Sequence, residues 1–379
     1  MDNKSSKTTR FASALPLIVA ACVLFADTSG LECQAKMQSG LSTRLSLLGS
    51  VPTDELYSTR ALSIRGKKGV LIGEDRILLS EDGGSNWTTQ TKIDKRSPVS
   101  HFVGVWVSSE STLFATLGDV LFESIDTGKT WNRTKMIHHA SEGMLAVGGS
   151  NDGNLVIIVG ERSVPISDQA WVELPHYAQG NAKDREEVPA VWVSSDGGHD
   201  WLAARLPRAD GFLDGVAVSG SSVLVWGPYC AYASLDGGKS WRLLKFDIPE
   251  EEEEAYPISG AIAGSRLWIS LKNGRLMTGR IGQTKLSTQT QLAPVTGNLV
   301  FVNSCVGIAT TSSGTAKDGN EEDILIGTEN GGRTWTPVMH SSRIVALTAD
   351  STAFFGVTED HVFQIHLNSE EVARTCLGN

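Results

Sequence analysis

Five times the chain repeats nearly the same eight residues, in the pattern Ser/Thr-x-Asp-x-Gly-x-x-Trp. The anchors are Ser80, Asp82, Gly84 and Trp87, then Ser124, Asp126, Gly128 and Trp131, then Ser194, Asp196, Gly198 and Trp201. They recur as Ser234, Asp236, Gly238 and Trp241 and, with Asn for Asp, as Thr328, Asn330, Gly332 and Trp335. Apolar alternation precedes the copies, as in 69–73 and 75–79, so the motif reads as a turn between antiparallel strands. The hydroxyl and the carboxylate suit bonds to backbone N–H groups of their own turn. The glycine suits a positive φ, and the Trp buries a large ring as the next strand begins. Each residue type has a structural task that needs no ligand.

Spacing supplies the architecture. Ser80 and Ser124 lie 44 residues apart, and Ser194 and Ser234 lie 40 apart. A period of about 40–50 residues with four short strands per unit marks a β-propeller. The 94-residue gap from Ser234 to Thr328 holds a decayed copy at 278–285, which places Arg280 at the Asp position and Lys285 at the Trp position. The 70-residue gap from Ser124 to Ser194 holds one period and an insertion around 163–189. Seven units follow, over about 60–93, 99–136, 142–207, 213–247, 257–292, 297–340 and 343–376, within a propeller spanning 37–379. The expected fold is all-β, a single seven-bladed propeller of four-stranded antiparallel blades. Either 43–49 or 372–377 would add the outer strand that closes the ring.

Length alone would suggest two or three domains for 379 residues, and the repeat overrides that expectation. A net charge of −10 argues against nucleic acid and anionic lipid surfaces as partners. Residues 1–35 read as an export signal and flexible leader. Lys4, Lys7 and Arg10 precede an apolar core of 11 residues, or 16 if it runs to Ala26, too short for a membrane span. Val19-Ala20-Ala21-Cys22 resembles a bacterial lipoprotein box, which would place cleavage before Cys22 and a lipid on its thiol. The alternative is an ordinary secretory signal cleaved after Gly30 or Ala35. Both predict an exported chain, periplasmic or lipid-anchored, with no transmembrane helix once mature.

Export permits disulfides. Cys33 and Cys376 lie near the two chain ends, where a propeller closes, and are the candidate pair; Cys230 and Cys305 are expected as buried thiols. No Cys or His grouping has metal-site spacing, and neither metal nor cofactor is expected. The insertion carries Trp171, His176 and Tyr177, aromatics in a polar loop that form a candidate binding element. The acidic run 250–254 and the segment 312–322 read as solvated loops.

The repeated octapeptide resembles the Asp-box, or bacterial neuraminidase repeat, over about 60–340. The resemblance implies a propeller whose boxes lie at the periphery. A sialidase would add an Arg-Ile-Pro motif, an arginine triad and a late Tyr nucleophile. The chain has no Arg-Ile-Pro, and its five tyrosines, at 57, 177, 229, 232 and 256, all precede the last 120 residues. The stretch 69–87 is closest in type to the photosystem II stability and assembly factor propellers. That resemblance implies a non-enzymatic scaffold with a protein partner in the membrane or envelope. A sialidase-like glycoside hydrolase on the same ring is the alternative.

Overall fold

The computed structural model describes residues 32–33, 44–50, 61–73, 76–92, 102–109, 111–117, 120–134, 142–165, 185–207, 209, 211–247, 255–289, 295, 297–315, 321–350, 353–358 and 361–366. Strands and turns account for all the regular structure among them.

Two strands come first, β1 (Glu32–Cys33) and β2 (Arg44–Ser50). Blade one is β3 (Ala61–Arg65), β4 (Lys68–Ile72), β5 (Arg76–Ser80) and β6 (Thr88–Lys92). Blade two is β7 (Phe102–Val107), β8 (Leu113–Leu117), β9 (Val120–Ser124) and β10 (Asn132–Arg133). Blade three is β11 (Glu142–Gly149), β12 (Val156–Pro165), β13 (Arg185–Ser194) and β14 (Leu202–Ala203). Blade four is β15 (Gly215–Ser219), β16 (Ser222–Trp226), β17 (Ala231–Ser234) and β18 (Arg242–Leu243). After β19 (Lys245–Phe246), blade five is β20 (Pro257–Ala263), β21 (Arg266–Leu271), β22 (Leu276–Arg280) and β23 (Lys285–Thr288). Blade six is β24 (Leu299–Phe301), β25 (Gly307–Thr315), β26 (Glu321–Thr328) and β27 (Thr336–Ser342). The closing blade holds β28 (Ile344–Ala349), β29 (Ala353–Thr358) and β30 (His361–His366).

Each blade is an antiparallel meander, and the seven form the propeller that the repeat spacing predicts. Of the two candidate closing segments, the N-terminal one takes the place: β2 pairs antiparallel with β30 from Arg44↔His366 to Ser50↔His361. β1 then pairs with β2. β19 adds a parallel strand outside β23, tying blade four's exit to blade five.

Period-two alternation buries both faces of each sheet. In blade one, Val70, Ile72, Ile77 and Leu79 pack toward blade two. Leu71 and Leu78 pack the other way, against Ala353, Phe355 and Val357 of the closing blade. The same division recurs around the ring, giving one apolar cluster at each of the seven blade boundaries. Serines reinforce the inner boundaries: the Val107 N–H donates to Ser63 Oγ at 3.1 Å and the Leu299 N–H to Ser259 Oγ at 3.0 Å.

The five repeated turns all join the third and fourth strands of a blade. In the second, Ser124 is fully buried; its Oγ accepts the Gly128 N–H at 2.7 Å and donates to Asp126 Oδ1 at 2.8 Å. Asp126 Oδ1 in turn accepts the Thr130 N–H at 2.9 Å, and Trp131 Nε1 donates to the Gly128 carbonyl at 3.0 Å. These bonds all stay within eight residues, which is why the motif can be repeated as a unit. At all five turns, the N–H of the residue before that glycine donates to a carbonyl in the connection between the first two strands of the same blade: Gly83 to Lys67, Thr127 to Ser111, Gly197 to Asn154, Gly237 to Ser221 and Gly331 to Cys305.

Thr127 stands where the other four turns have glycine, and it is the one non-glycine at positive φ among the described residues, at 64°. Left-handed strain at such a residue is about 1–3 kcal/mol, against roughly 0.5–1 kcal/mol for the extra chain entropy of glycine. Thr127→Gly is therefore expected to raise stability by about 1 kcal/mol, read as a higher denaturant midpoint with an unchanged slope.

The decayed turn of blade five sits one residue from its expected register. Thr278 pairs with Ser287 as Ala233 pairs with Arg242 in blade four, so both turns have the same length. The hydroxyl position is then Gly279, the Asp position Ile281 and the Trp position Leu286. Leu286 is fully buried, and a Cβ on Gly279 would meet its side chain at 2.5 Å. A smaller aliphatic group thus fills the space of the indole, and Gln283 closes the turn by accepting the Arg280 N–H at 2.8 Å.

Candidate functional site

A repeating meander gives every inner strand the same sense, so the ring has two distinct faces. First-to-second and third-to-fourth strand connections lie on one, here the turn face. Second-to-third strand hairpins lie on the other, the hairpin face. The inner strands enclose a central channel of about 470 Å³. Small and apolar groups line it, including Ala61, Gly104, Gly148, Val216, Gly260 and Ala346, with Trp106, Trp226 and Phe301 as the large rings. Its charged lining residues are Asp214 and Asp350. Asp214 precedes β15 and Asp350 follows β28, which puts them at opposite ends of the channel.

Asp214 is open to the channel, but the surrounding wall displaces enough solvent that desolvation raises its carboxyl to about 6. A raised carboxylate pKa stabilises the fold at low pH; that contribution is lost as pH climbs from the unfolded value through about 6. Asp214→Asn is therefore expected to gain melting temperature over the parent at pH 8 and little at pH 4. A difference independent of pH would refute the assignment. The turn carboxylates behave oppositely: hydrogen bonds from Thr130 and Ser240 hold Asp126 and Asp236 down at about 2. Their contribution is present above the unfolded value and lost as pH falls toward 2.

On the hairpin face, the insertion of blade three is partly strand. β12 and β13 pair without interruption from Val156↔Ser194 to Pro165↔Arg185, so 163–165 and 185–189 extend the sheet beyond the ring. Blade six does the same, because 312–315 and 321–322, expected as loop, belong to β25 and β26. Long runs of Ser, Thr and Glu obscure these extensions, since neither run alternates in polarity. Trp171, His176 and Tyr177 lie outside the described residues. At the foot of the blade-three hairpin, Glu161 is half-buried, and burial first, then the charge and hydrogen bond of Glu187, push its carboxyl up.

Cys230 is a buried thiol. Cys305, expected as another, is disulfide-bonded instead, to a cysteine whose side chain lies outside those described. It sits at the turn joining β24 to β25, beside the closing blade's Phe354 and Phe363. Cys22 and Cys376 fall outside the described residues, and Cys33 is in β1. No group of three metal-ligating side chains occurs among the described residues, and no helix there is long and apolar enough to cross a membrane.

No family model and no curated protein sequence matches the chain. Its fold is similar to that of YCF48 bound to a D1 peptide, with a TM-score of 0.57 and 13% identity over 88% of this chain and 99% of that one. YCF48 from Cyanidioschyzon merolae gives 0.55 and 13% over 85% and 99%. An ancestral GH74 enzyme gives 0.58 and 11% over 83% of this chain but 45% of that one. At these identities the likeness is one of fold.

Proposed function

We propose that the chain is an exported, non-enzymatic propeller that holds a protein partner during assembly or maintenance of a membrane or envelope complex. In this reading the repeated turns are Asp-boxes, and their role is to build the ring. The observation that carries the proposal is the likeness, along nearly its whole length, to a propeller seen with a peptide bound. The hairpin face supports it, because blades three and six project strand pairs there while other hairpins stay short. The channel supports it too. Its carboxylates sit at opposite ends rather than as a pair, and glycosidase chemistry needs two carboxyl groups about 5–10 Å apart. The likeness to an ancestral GH74 enzyme keeps glycoside hydrolysis as the second reading.

Affinity capture from envelope membranes, with the full chain and with a variant lacking 166–184, is the test. Recovery of a membrane protein partner that is lost with the shortened hairpin is the expected outcome. Hydrolysis of a sialoside or glucan panel with no partner recovered would overturn the proposal. Mass determination of the mature N-terminus addresses export: a lipid-modified Cys22 supports an anchored form, and a start after Gly30 or Ala35 supports a periplasmic one.

A further inference from the structure

Blade five lost its repeat Asp, and arginines gather where it would have been. Arg266 begins β21 and Arg280 ends β22, and the two are directly paired across the strands. Arg333 comes from the repeated turn of blade six, and all three line one groove of about 490 Å³ on the turn face. Like charges directly opposite in a sheet destabilise it. Here no carboxylate offsets them: none lines the groove, and none of the three forms an ion pair among the described residues. In a chain of net charge −10, three such guanidinium groups in one groove are a local inversion of sign.

The groove is shaped for a ligand with oxygen atoms. Its remaining walls include Gln283, Ser287 and Asn330, which supply hydroxyl and amide donors. Arg266 is fixed in place. Its guanidinium lies 5.5 Å from the centroid of the Trp268 ring, and a Cβ on Gly331 would come within 2.5 Å of its Nη1. Burial, with the charges of Arg333 and Arg280, makes the proton on Arg266 easier to lose than usual, which marks a site that a bound anion would relieve. Arg280 and Arg333 are exposed and free to close over a ligand.

We infer that this groove between blades five and six binds a doubly charged tetrahedral oxyanion: phosphate, free or as a monoester, or free sulfate. Planar guanidinium forks match the oxygens of such a group two at a time. The inference does not rest on the scaffold reading, because the groove lies on the face opposite the extended hairpins.

Titration calorimetry of the full chain at about 20 mM ionic strength, where screening is weak, tests it with inorganic phosphate, sulfate, glucose 6-phosphate and acetate. Saturable binding of phosphate and sulfate, with acetate at least tenfold weaker, is expected. The double variant Arg280→Gln with Arg333→Gln should bind about tenfold or more weakly while melting no lower than the parent without ligand, since it removes a like-charge pair. Glucose 6-phosphate binding tighter than phosphate would identify an ester as the ligand, and equal binding would identify the free ion. Absence of saturation by every dianion, or a double variant that binds like the parent, would overturn the inference.

Discussion

Replacing Trp268 by Ala is expected to cost about 3–5 kcal/mol of stability, a large share of what holds an ordinary domain folded. Trp268 is fully buried in the boundary between blades five and six. Its ring stacks on Phe301 with centroids 3.8 Å apart and planes 4° from parallel, and its Nε1 donates to the Gly331 carbonyl at 3.0 Å. Truncation therefore opens a cavity, removes a stacked aromatic pair worth about 0.5–1.5 kcal/mol beyond its area, and strands a buried carbonyl. Equivalent positions in blades one and four hold Val70 and Leu224, so the indole is an addition peculiar to this boundary. Trp335 supplies the control. It meets the same Phe301 edge-on, but its Nε1 has no hydrogen-bond partner. Trp335→Phe keeps an aromatic ring and breaks no bond, and is expected to cost less than about 1.5 kcal/mol. Denaturant midpoints of the two variants decide the matter, and equal losses would show that stacking and the Gly331 bond contribute little.

Removing residues 1–50 is the second large effect. Without β2, the closing blade keeps β28, β29 and β30, and the outer edge of β30 loses six registered partners. At about 1 kcal/mol per net hydrogen bond, that loss approaches the stability of a whole domain. An unpaired strand edge also invites association with other chains. The shortened chain is expected to elute as aggregate and to lose hydrogen-exchange protection at Val362, Phe363 and Ile365. A synthetic peptide covering 32–50 should restore both. A monomeric, protected shortened chain would mean that the ring closes without its N-terminal strand.

The parts of this architecture legible in the sequence are those whose bonds are local. Ser124, Asp126, Gly128 and Trp131 serve one another within eight residues, so their spacing survives in every copy. Blade five shows the limit. Gly279 and Leu286 share no residue type with Ser234 and Trp241, so a pattern match lands on Thr278 and Lys285, and only strand pairing reveals the shift. The arginine groove is hidden for another reason. Arg266 and Arg280 meet through a hairpin register and Arg333 through the packing of two blades, and no spacing rule joins them. One sign is present: Arg280 and Arg333 lie in the two turns, of blades five and six, that lost the repeat carboxylate. The Cys305 disulfide likewise depends on which segments the ring brings together, and polarity does not distinguish strand from loop in 312–322.

The seven apolar clusters, one at each boundary, carry a thermodynamic consequence. A linear array of repeats has two ends, and each end unit is held by one neighbour, so such arrays fray. Here the packing of the closing blade on blade one, fastened from outside by β2, joins the line into a circle, and every unit has two neighbours. The first opening event must sacrifice two couplings at once, whichever blade it strikes. Once that happens the circle becomes a line with ends, and the remaining blades are left to fray like any open array.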